Sequence, residues 1–185
     1  MNVLVTGGNG YIGMELCRVL VGLGHRVCAL VRSVSNPIDG IQYFVGDLAD
    51  GTCVEAALKN IECVVHLAGR AHVLSDGATN PLAEYRSINR DLSLSLAASA
   101  KEAGVARFLF ISSIGVNGAV TNGHGFDEKA SPAPATDYAL SKLEAENGLR
   151  ELLENSETEL VIIRPPLVYG INAPGNFARL VKLVS

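Results

Sequence analysis

Short apolar runs alternate with longer amphipathic stretches along the chain, and this pattern predicts strands separated by helices. The apolar runs are rich in β-branched and aromatic residues, as is typical of buried strands, and lie at 2–6, 25–31, 41–45, 61–66, 107–111 and 160–163. The stretches with helical spacing lie at about 11–23, 52–59, 82–103 and 138–154. Strands that alternate with helices predict an α/β fold with a doubly wound parallel sheet.

A glycine-rich turn joins the first predicted strand to the first helix. Gly7, Gly10 and Gly13 are spaced G-x-x-G-x-x-G, one residue wider at the start than the common dinucleotide-binding pattern. Gly7 permits a tight turn, Gly10 lets the backbone approach a pyrophosphate, and Gly13 lets the helix pack on the strand. Because the helix N-terminus then faces the anion, the turn predicts a Rossmann-like domain that binds NAD or NADP.

The end of the second strand lies near the adenosine ribose in such domains, and the side chain there selects the cofactor. An acidic residue accepts hydrogen bonds from the 2′-hydroxyl of NAD, whereas a basic residue suits the 2′-phosphate of NADP. The acid is absent and Arg32 stands in its neighbourhood. This favours NADP slightly, although a solvated surface arginine would be compatible with NAD.

Polar and small residues follow several strands, at the edge of a parallel sheet where ligands bind. Asp47 follows the third strand and can accept a hydrogen bond from an adenine amino group. Ala68 and Gly69 follow the fourth strand and let the backbone approach a ligand. Ser112 and Ser113 follow the fifth, where a hydroxyl can hold a substrate oxygen. This edge is therefore the predicted ligand site.

Two polar residues near this edge can each be interpreted in two ways. His66 ends a buried strand and is interpreted as a packed, hydrogen-bonded histidine rather than a base, because a base needs a partner in reach. Asn89 lies near the apolar face of the 82–103 helix, which includes Leu82, Tyr85, Ile88, Leu92, Leu96 and Ala100. The Asn89 amide either hydrogen-bonds backbone or water near the site or is solvated, and the sequence leaves both open.

Tyr138 and Lys142 are four residues apart in a predicted helix, so their side chains lie on one face. A tyrosine is a poor base at neutral pH because its ordinary pKa is about 10. A neighbouring ammonium favours the phenolate and lowers that pKa. The pair therefore predicts a group that can transfer a proton.

Composition narrows the function classes. The chain has 185 residues, of which 48% are hydrophobic and 18% charged, which is a globular composition with enough chain for one core. A net charge of −4 gives no indication of a nucleic-acid or membrane surface, and no apolar run is long enough to span a bilayer. Cys17, Cys28, Cys53 and Cys63 lack metal-binding spacing, so no metal site is predicted and reduced core thiols in a cytoplasmic protein are expected.

Six motifs, in order, resemble the extended short-chain dehydrogenase/reductases, and more narrowly the NAD-dependent epimerase/dehydratase family with its nucleotide-sugar epimerases. They are Gly7-x-x-Gly10-x-x-Gly13, Asp47-Leu48, His66-Leu67-Ala68-Gly69, Ser112-Ser113, Tyr138-x-x-x-Lys142 and Arg164-Pro165-Pro166. The resemblance covers almost the whole chain. It implies a nicotinamide cofactor, NAD or NADP, and a sugar nucleotide, UDP-linked, as the substrate.

The resemblance also implies roles for individual residues. Tyr138 would be the acid/base, Lys142 would lower the tyrosine pKa and hold the nicotinamide ribose, and Ser113 would position the substrate hydroxyl. Together with Arg32, the residues expected to line the cofactor are Gly7, Gly10, Tyr11, Ile12, Asp47, Leu48, Leu67, Ala68, Gly69, Ser112, Tyr138, Lys142 and Pro165. Members often form homodimers through the two long helices, here 82–103 and 138–154.

Three departures from the family pattern bear on the function. Dehydratases of this branch carry Asp-Glu after the catalytic hydroxyl residue, whereas Ser113 is followed by Ile114-Gly115, so dehydration is not expected. The Val-Tyr-Gly of epimerases is replaced by Val116-Asn117-Gly118, which leaves the sugar open. Members usually run much longer, so we expect a dinucleotide-binding domain at 1–170 and, at 171–185, only the beginning of a substrate-binding region.

The favoured function is that of a UDP-glucose 4-epimerase-like enzyme, in which Tyr138 deprotonates the C4 hydroxyl while hydride passes to the nicotinamide. Release of a ketone, or the reverse reaction, would instead make the protein a dehydrogenase or a 4-ketoreductase. Two non-enzymatic hypotheses are a module that senses the cofactor redox state without chemistry and an inactive fragment. The intact set of Ser113, Tyr138 and Lys142 argues against the module, because a sensor does not need a tuned phenol.

Overall fold

The computed structural model describes residues 1–71, 80–121 and 123–171, together with residues 173, 177, 180 and 183. The strands are β1 (Asn2–Thr6), β2 (Arg26–Val31), β3 (Ile41–Val45), β4 (Cys63–His66), β5 (Arg107–Ile111) and β6 (Glu159–Ile163). The α-helices are α1 (Tyr11–Gly22), α2 (Gly51–Ala57), α3 (Pro81–Tyr85), α4 (Leu92–Glu102) and α5 (Asp137–Leu153). A π-helical segment, Arg86–Asp91, joins α3 to α4, and a 3₁₀ turn, Ile114–Val116, follows β5.

The strands form one parallel sheet in the order β3-β2-β1-β4-β5-β6. The direction of winding reverses between β1 and β4, which is the point where doubly wound sheets bind their ligands. The predicted α/β fold with a Rossmann-like sheet is therefore confirmed. The glycine turn after β1 and the loop after β4 lie side by side at this point.

Most element bounds agree with the predicted ones. β1, β3 and β5 have the predicted bounds, and the ends of the other strands and of α1, α2 and α5 shift by no more than two residues. Capping side chains set two of the helix starts. Asp50 accepts hydrogen bonds from the N–H groups of Thr52 and Cys53 at the start of α2, and the Thr136 hydroxyl accepts from Ala139 N–H at the start of α5.

The predicted continuous helix at 82–103 is wrong in its middle. Arg86–Asp91 is π-helical, so each turn there contains an extra residue and the residues that follow are rotated about the helix axis. Asn89 and Ser93 are consequently fully buried, whereas Ile88 and Leu92, which belong to the predicted apolar face, are only half-buried. The departure from α-helical hydrogen bonding thus accompanies the burial of the polar Asn89 side chain.

Two apolar clusters cover the two faces of the sheet. The first contains Leu4 and packs under α2, α4 and α5; the second contains Val3 and Val5 and packs under α1. Successive residues of β1 thus point to opposite clusters, as the two-residue period of a strand requires. Because both faces are covered, the central strands are apolar throughout rather than alternating.

The structure also bears on several broader expectations. All four cysteines are free, and Cys17 and Cys63 are buried. Among the described residues, no group of His, Cys, Asp and Glu is arranged to hold a metal ion. The helices in the described ranges are all too short or too polar to cross a bilayer. Most of the segment 171–185 lies outside the described residues, so its predicted role stays a prediction.

Candidate active site

The glycine turn is packed too tightly for side chains. Gly7 has a φ of +69°, which favours glycine, and a Cβ there would lie 2.8 Å from the backbone nitrogen of Ala68. A Cβ on Gly13 would collide with the carbonyl oxygen of Gly7. The predicted close packing at Gly13 is therefore confirmed, although the atoms nearest to this position belong to the turn rather than to β1.

The N-terminus of α1 fits the phosphates of a dinucleotide. Gly10 is the N-cap residue; among the described residues it has no side-chain capping hydrogen bond, and the first turn of α1 carries no acidic side chain. The N–H groups and the dipole of the helix therefore favour an anion here. Gly10, Tyr11 and Ile12 are all exposed, so the approach to these N–H groups is open. A pyrophosphate is compatible with the residues present.

Three other predicted cofactor residues lie further along the same edge. Arg32 is exposed immediately after β2. Asp47 is exposed after β3, and its carboxylate accepts a hydrogen bond from Ala49 N–H at 2.9 Å, while Asp50 caps α2. Leu48 packs partly buried against the cluster under α2. Their contacts to a cofactor stay predictions.

His66 is packed and hydrogen-bonded, as predicted. The residue is completely buried, its Nδ1 lies 2.6 Å from the Thr6 hydroxyl, and its Nε2 lies 2.8 Å from the Ser93 hydroxyl. Because the Ser93 hydroxyl donates to the Asn89 carbonyl, it accepts from Nε2–H, and Nδ1 accepts from Thr6. Burial and, to a smaller extent, the charge of Lys142 lower the pKa of His66 to about 3. The imidazole is neutral at physiological pH and has both nitrogens occupied.

Asn89 holds the loop that follows β4. Its Oδ1 accepts from the Arg70 N–H at 2.8 Å, and its Nδ2 donates to the Arg70 carbonyl at 3.1 Å and to the Ser141 hydroxyl at 3.0 Å. The side-chain amide thus satisfies both backbone groups of Arg70 after the strand has ended. Of the two interpretations left open by the sequence, hydrogen bonding to the backbone near the site is the one observed.

Lys142 is buried beside the end of β5. Only 4% of its surface is exposed, its Nζ donates to the Ile111 carbonyl at 2.9 Å, and the Nζ lies 4.5 Å from the centroid of the Phe110 ring. Burial lowers the pKa of Lys142 to about 8, and the Glu146 carboxylate opposes this effect. A Cβ on Gly69 would lie 3.4 Å from Nζ. The ammonium therefore sits next to the predicted cofactor loop.

Tyr138 lies half-buried, with its ring edge against Tyr85 at a centroid distance of 6.0 Å. Burial raises the pKa of Tyr138, and a hydrogen bond with the Ser113 hydroxyl opposes this only in part. The predicted lowering of this pKa by Lys142 is therefore wrong for this structure. Burial of the phenol is the largest cause and decides the direction.

Ser112 and Pro165 lie behind the reactive edge. Ser112 is buried, and its N–H donates to the Ile163 carbonyl at 2.7 Å, which extends the pairing of β5 with β6. The Pro165 carbonyl accepts from Ile114 N–H at 3.1 Å, so the segment after β6 packs on the turn that begins after Ser113. Any contact of Ser112 with a cofactor would use its backbone, because its side chain is buried.

A buried ion pair below the site was not predicted from the sequence. Arg164 binds both oxygens of Glu146, with Nε 2.8 Å from Oε1 and Nη2 2.5 Å from Oε2, and the Glu146 side chain has no exposed surface. The Nη1 of Arg164 also donates to Oδ1 of Asn117 at 3.1 Å. The available signal was the spacing of Glu146 from Lys142, since a carboxylate on the buried face of a helix needs a partner.

Contacts between loops join the glycine turn to α5. The turn at Gly7 packs on the loop after β4, and Gly69 of that loop lies next to the Nζ of Lys142. One turn earlier on α5, Tyr138 lies near enough to Ser113 for that hydroxyl to lower the tyrosine pKa. The predicted cofactor residues and the predicted catalytic residues therefore share one edge of the sheet. Such an edge can hold a dinucleotide beside a tyrosine that transfers a proton.

Comparison with known proteins agrees with this geometry. The model of the NAD dependent epimerase/dehydratase family matches residues 3–183. The chain belongs to this family. The chain is 44% identical to the UDP-glucose 4-epimerase of Vibrio cholerae, over 100% of its own length and 57% of that protein. It is 30% identical to the N-acetyl-alpha-D-glucosaminyl-diphospho-ditrans,octacis-undecaprenol 4-epimerase of Escherichia coli O157:H7, over 100% of this chain and 54% of that protein.

A solved structure shows the same fold with ligands. The protein MoeE5, in complex with UDP-glucuronic acid and NAD, has a TM-score of 0.79 and 29% identity, over 89% of this chain and 54% of that one. The predicted family is thus confirmed. The chain spans about half the length of the curated relatives it matches, so the activity of the whole protein is a matter for proposal.

Proposed function

We propose that residues 1–170 are the dinucleotide-binding domain of an NAD(P)-dependent nucleotide-sugar epimerase resembling UDP-glucose 4-epimerase. Tyr138 takes the proton of the C4 hydroxyl of a UDP-linked sugar, and Ser113 hydrogen-bonds the same oxygen. Lys142 holds the nicotinamide ribose. A nicotinamide bound beside these residues would supply the hydride chemistry at C4 that inversion of this carbon requires.

The position of Lys142, whose Nζ lies beside Gly69 in the loop that packs on the glycine turn, is the observation that supports this proposal most strongly. The Ser113 hydroxyl is near enough to Tyr138 to lower the tyrosine pKa, so both groups can approach one substrate oxygen. The pKa of Lys142 is about 8, so most of this lysine is charged at neutral pH. Its charge, one helical turn away, would favour the phenolate that forms as the proton moves.

The residues after Ser113 favour epimerisation over dehydration. Water elimination needs an acid and a base beside the catalytic hydroxyl, and the family supplies them as Asp-Glu. Here the two positions are Ile114 and Gly115, which lie in the 3₁₀ turn and carry no ionisable group. Asn117, which replaces the usual tyrosine, binds Arg164 and the Ala130 carbonyl, so it serves the packing of the loop.

The proton-transfer role of Tyr138 is tested by Tyr138→Phe, which keeps the ring that packs on Tyr85. We expect epimerisation of UDP-glucose to fall about a thousand-fold, while the affinity for NADH stays unchanged. Tyr43→Phe is the matched control, because its hydroxyl accepts from Ile38 N–H in the other half of the sheet. Turnover retained by Tyr138→Phe would contradict the proposal.

The choice of cofactor is proposed to depend on Arg32, which is exposed where the adenosine ribose is expected. MoeE5 binds NAD, and the absence of an acid after β2 leaves NADP favoured here. If Arg32 binds the 2′-phosphate, Arg32→Ala should lose about tenfold in affinity for NADP and none for NAD. Equal affinities for NADP before and after the substitution would assign Arg32 to the solvated surface.

A homodimer through α5 and the α3–α4 region is part of the same proposal. Arg86 and Arg90 bind Glu144 across this pair of helices, with Arg86 Nη2 2.5 Å from Oε1, so the helices form one packed unit. Sedimentation velocity at several protein concentrations would show whether two copies associate through it.

A further inference from the structure

A buried ion pair lies directly beneath the predicted catalytic residues without belonging to them. Glu146 follows Lys142 by one helical turn and Tyr138 by two, on the same face of α5. Its side chain is fully buried, and that of its partner Arg164 is 16% exposed. Replacing such a pair by apolar residues is often neutral or stabilising. Stability alone therefore gives a weak reason for two charges at this position.

The ion pair holds three segments together. Arg164 follows β6, and its Nη1 donates to Oδ1 of Asn117, the residue that ends the 3₁₀ turn. Asn117 in turn donates through Nδ2 to the Ala130 carbonyl at 3.1 Å and so closes the loop between β5 and α5. Ser113 precedes that turn, and Tyr138 stands in the first turn of α5. The pair therefore holds the segments that carry Ser113 and Tyr138 in position relative to each other.

The same pair controls the charge around Lys142. The Glu146 carboxylate lies one turn away on α5 and raises the pKa of Lys142 against the effect of burial. Arg164 binds this carboxylate from inside the protein, and Arg150 binds it at 3.1 Å from a position whose side chain is 51% exposed. The positive charges of the two arginines therefore oppose the effect of the Glu146 carboxylate on the pKa of Lys142.

Two other titratable groups around Lys142 are neutral. His66 faces it from β4 and is uncharged, because its pKa is lowered to about 3. Tyr138 precedes it on α5 with a raised pKa. The guanidinium of Arg70, in the loop after β4, lies over the Tyr85 ring at 5.8 Å. Glu146 is thus the acidic group that acts on Lys142 among the residues the structure describes.

We propose that Glu146 and Arg164 are positioning residues of the proton-transfer site. Glu146 keeps Lys142 charged, and Arg164 holds Glu146 and the turn after Ser113 in place. The catalytic consequence rests on the proposed function, whereas the effect on Lys142 does not. The two parts can therefore fail separately.

The decisive experiment measures the pKa of Lys142 by NMR, in protein labelled with ¹³C at the lysine Cε, with Lys142→Met to assign the signal. Glu146→Gln removes the carboxylate, so the pKa of Lys142 should fall by about one unit. Arg164→Gln leaves the carboxylate with less opposing charge, so the pKa should rise. A purely structural role predicts shifts of the same sign in both variants, because both would loosen the same packing.

Two further variants keep the test decisive if a single substitution prevents folding. Arg150→Gln removes a more exposed partner of the same carboxylate, so the Lys142 pKa should rise by less than in Arg164→Gln. Glu146→Gln combined with Arg164→Gln keeps a neutral hydrogen-bonding pair, and the pKa should fall by less than in Glu146→Gln alone. A Lys142 pKa that falls in this double variant as far as in Glu146→Gln alone would overturn the opposing charge roles of the pair.

Enzyme kinetics test the proposed effect of Glu146 on proton transfer. In epimerisation of UDP-glucose, Glu146→Gln should lower kcat about tenfold with little change in KM, and the pH profile should follow the new Lys142 pKa. An equal loss in KM, or an unmoved pH profile, would overturn the positioning role. If the Lys142 pKa shifts as expected and Tyr138→Phe still turns over, the proposed function fails and the charge role of Glu146 stands.

Discussion

The two halves of the sheet bury different kinds of side chain. Beneath α1, the first half packs an apolar cluster that includes Val3, Val5, Cys17 and Val27. Within residues 1–65, all of which the structure describes, Thr6 is the sole buried polar side chain. From His66 onward, the described residues bury nine more polar or charged side chains: His66, Asn89, Ser93, Ser112, Asn117, Ser141, Lys142, Glu146 and Thr158.

This difference follows from what each half is suited to bind. A phosphate is bound by backbone N–H groups, so the first half needs open space and a helix N-terminus. Proton transfer uses side chains of defined charge, and each buried polar group must have a partner. The second half therefore contains a hydrogen-bonded network, and its helix departs from α geometry to bring Asn89 into that network. Backbone geometry dominates one half and side-chain charge the other.

The largest effect is expected in the first half, from Gly13→Ala. The new Cβ would collide with the carbonyl oxygen of Gly7, so we expect the free energy of unfolding to fall by at least about 3 kcal/mol and NADH binding to be lost. Gly22→Ala is the matched control at the other end of α1, where an added Cβ would meet no atom of the described residues within 4 Å outside its own helix. It should stabilise by about 0.5 kcal/mol. Equal losses in the two variants, measured by urea unfolding, would contradict the close packing at the turn.

The second half should lose stability at acidic pH because His66 is buried in its neutral form. Its pKa is about 3 in the folded protein against 6.5 in the unfolded chain, so the unfolded state binds more protons between these values. Stability is therefore lost as the pH falls through this window, by about 2–3 kcal/mol from about pH 7 to about pH 4.5. His66→Gln should remove this part of the pH dependence in urea unfolding at the two pH values. If His66→Gln and the unmodified protein lose the same unfolding free energy between the two pH values, burial does not lower the pKa of His66.

The smallest effect on stability, and one of opposite sign, is expected from Lys142→Met. Burial opposes the charged form of this lysine, and methionine fills a similar volume, so unfolding should require about 1 kcal/mol more at neutral pH. The gain should be lost and then reversed as the pH rises from about 8 to 10.5, because the lowered pKa of the buried lysine stabilises the unmodified chain by about 3 kcal/mol over this range. Thermal unfolding of the variant and the unmodified chain at neutral pH and at about pH 10.5 measures the gain and its loss. A less stable variant would show that the bond to the Ile111 carbonyl outweighs the penalty of burial.

The fold and the glycine turn could be predicted because their signals are local. Strand and helix periods appear within a few residues, and the spacing of Gly7, Gly10 and Gly13 reflects one turn. The π-helical segment could not be predicted, since the reason for it is a set of partners on other elements that hold Asn89 inside. The predicted direction of the shift in the Tyr138 pKa was wrong for a similar reason. Sequence spacing places an ammonium on the same face of a helix, but it does not show how far the neighbouring elements bury the phenol.

The central claim is that the glycine turn and α5 form one cofactor site, and a fluorescence titration with NADH tests it most directly. The titration compares the unmodified chain with Gly10→Val, which blocks the pyrophosphate, and with Lys142→Met, which removes the ribose contact. We expect saturable binding that Gly10→Val abolishes and that Lys142→Met weakens about tenfold. Binding that is lost in Gly10→Val but unchanged in Lys142→Met would contradict the claim, because the two halves would then not share a ligand.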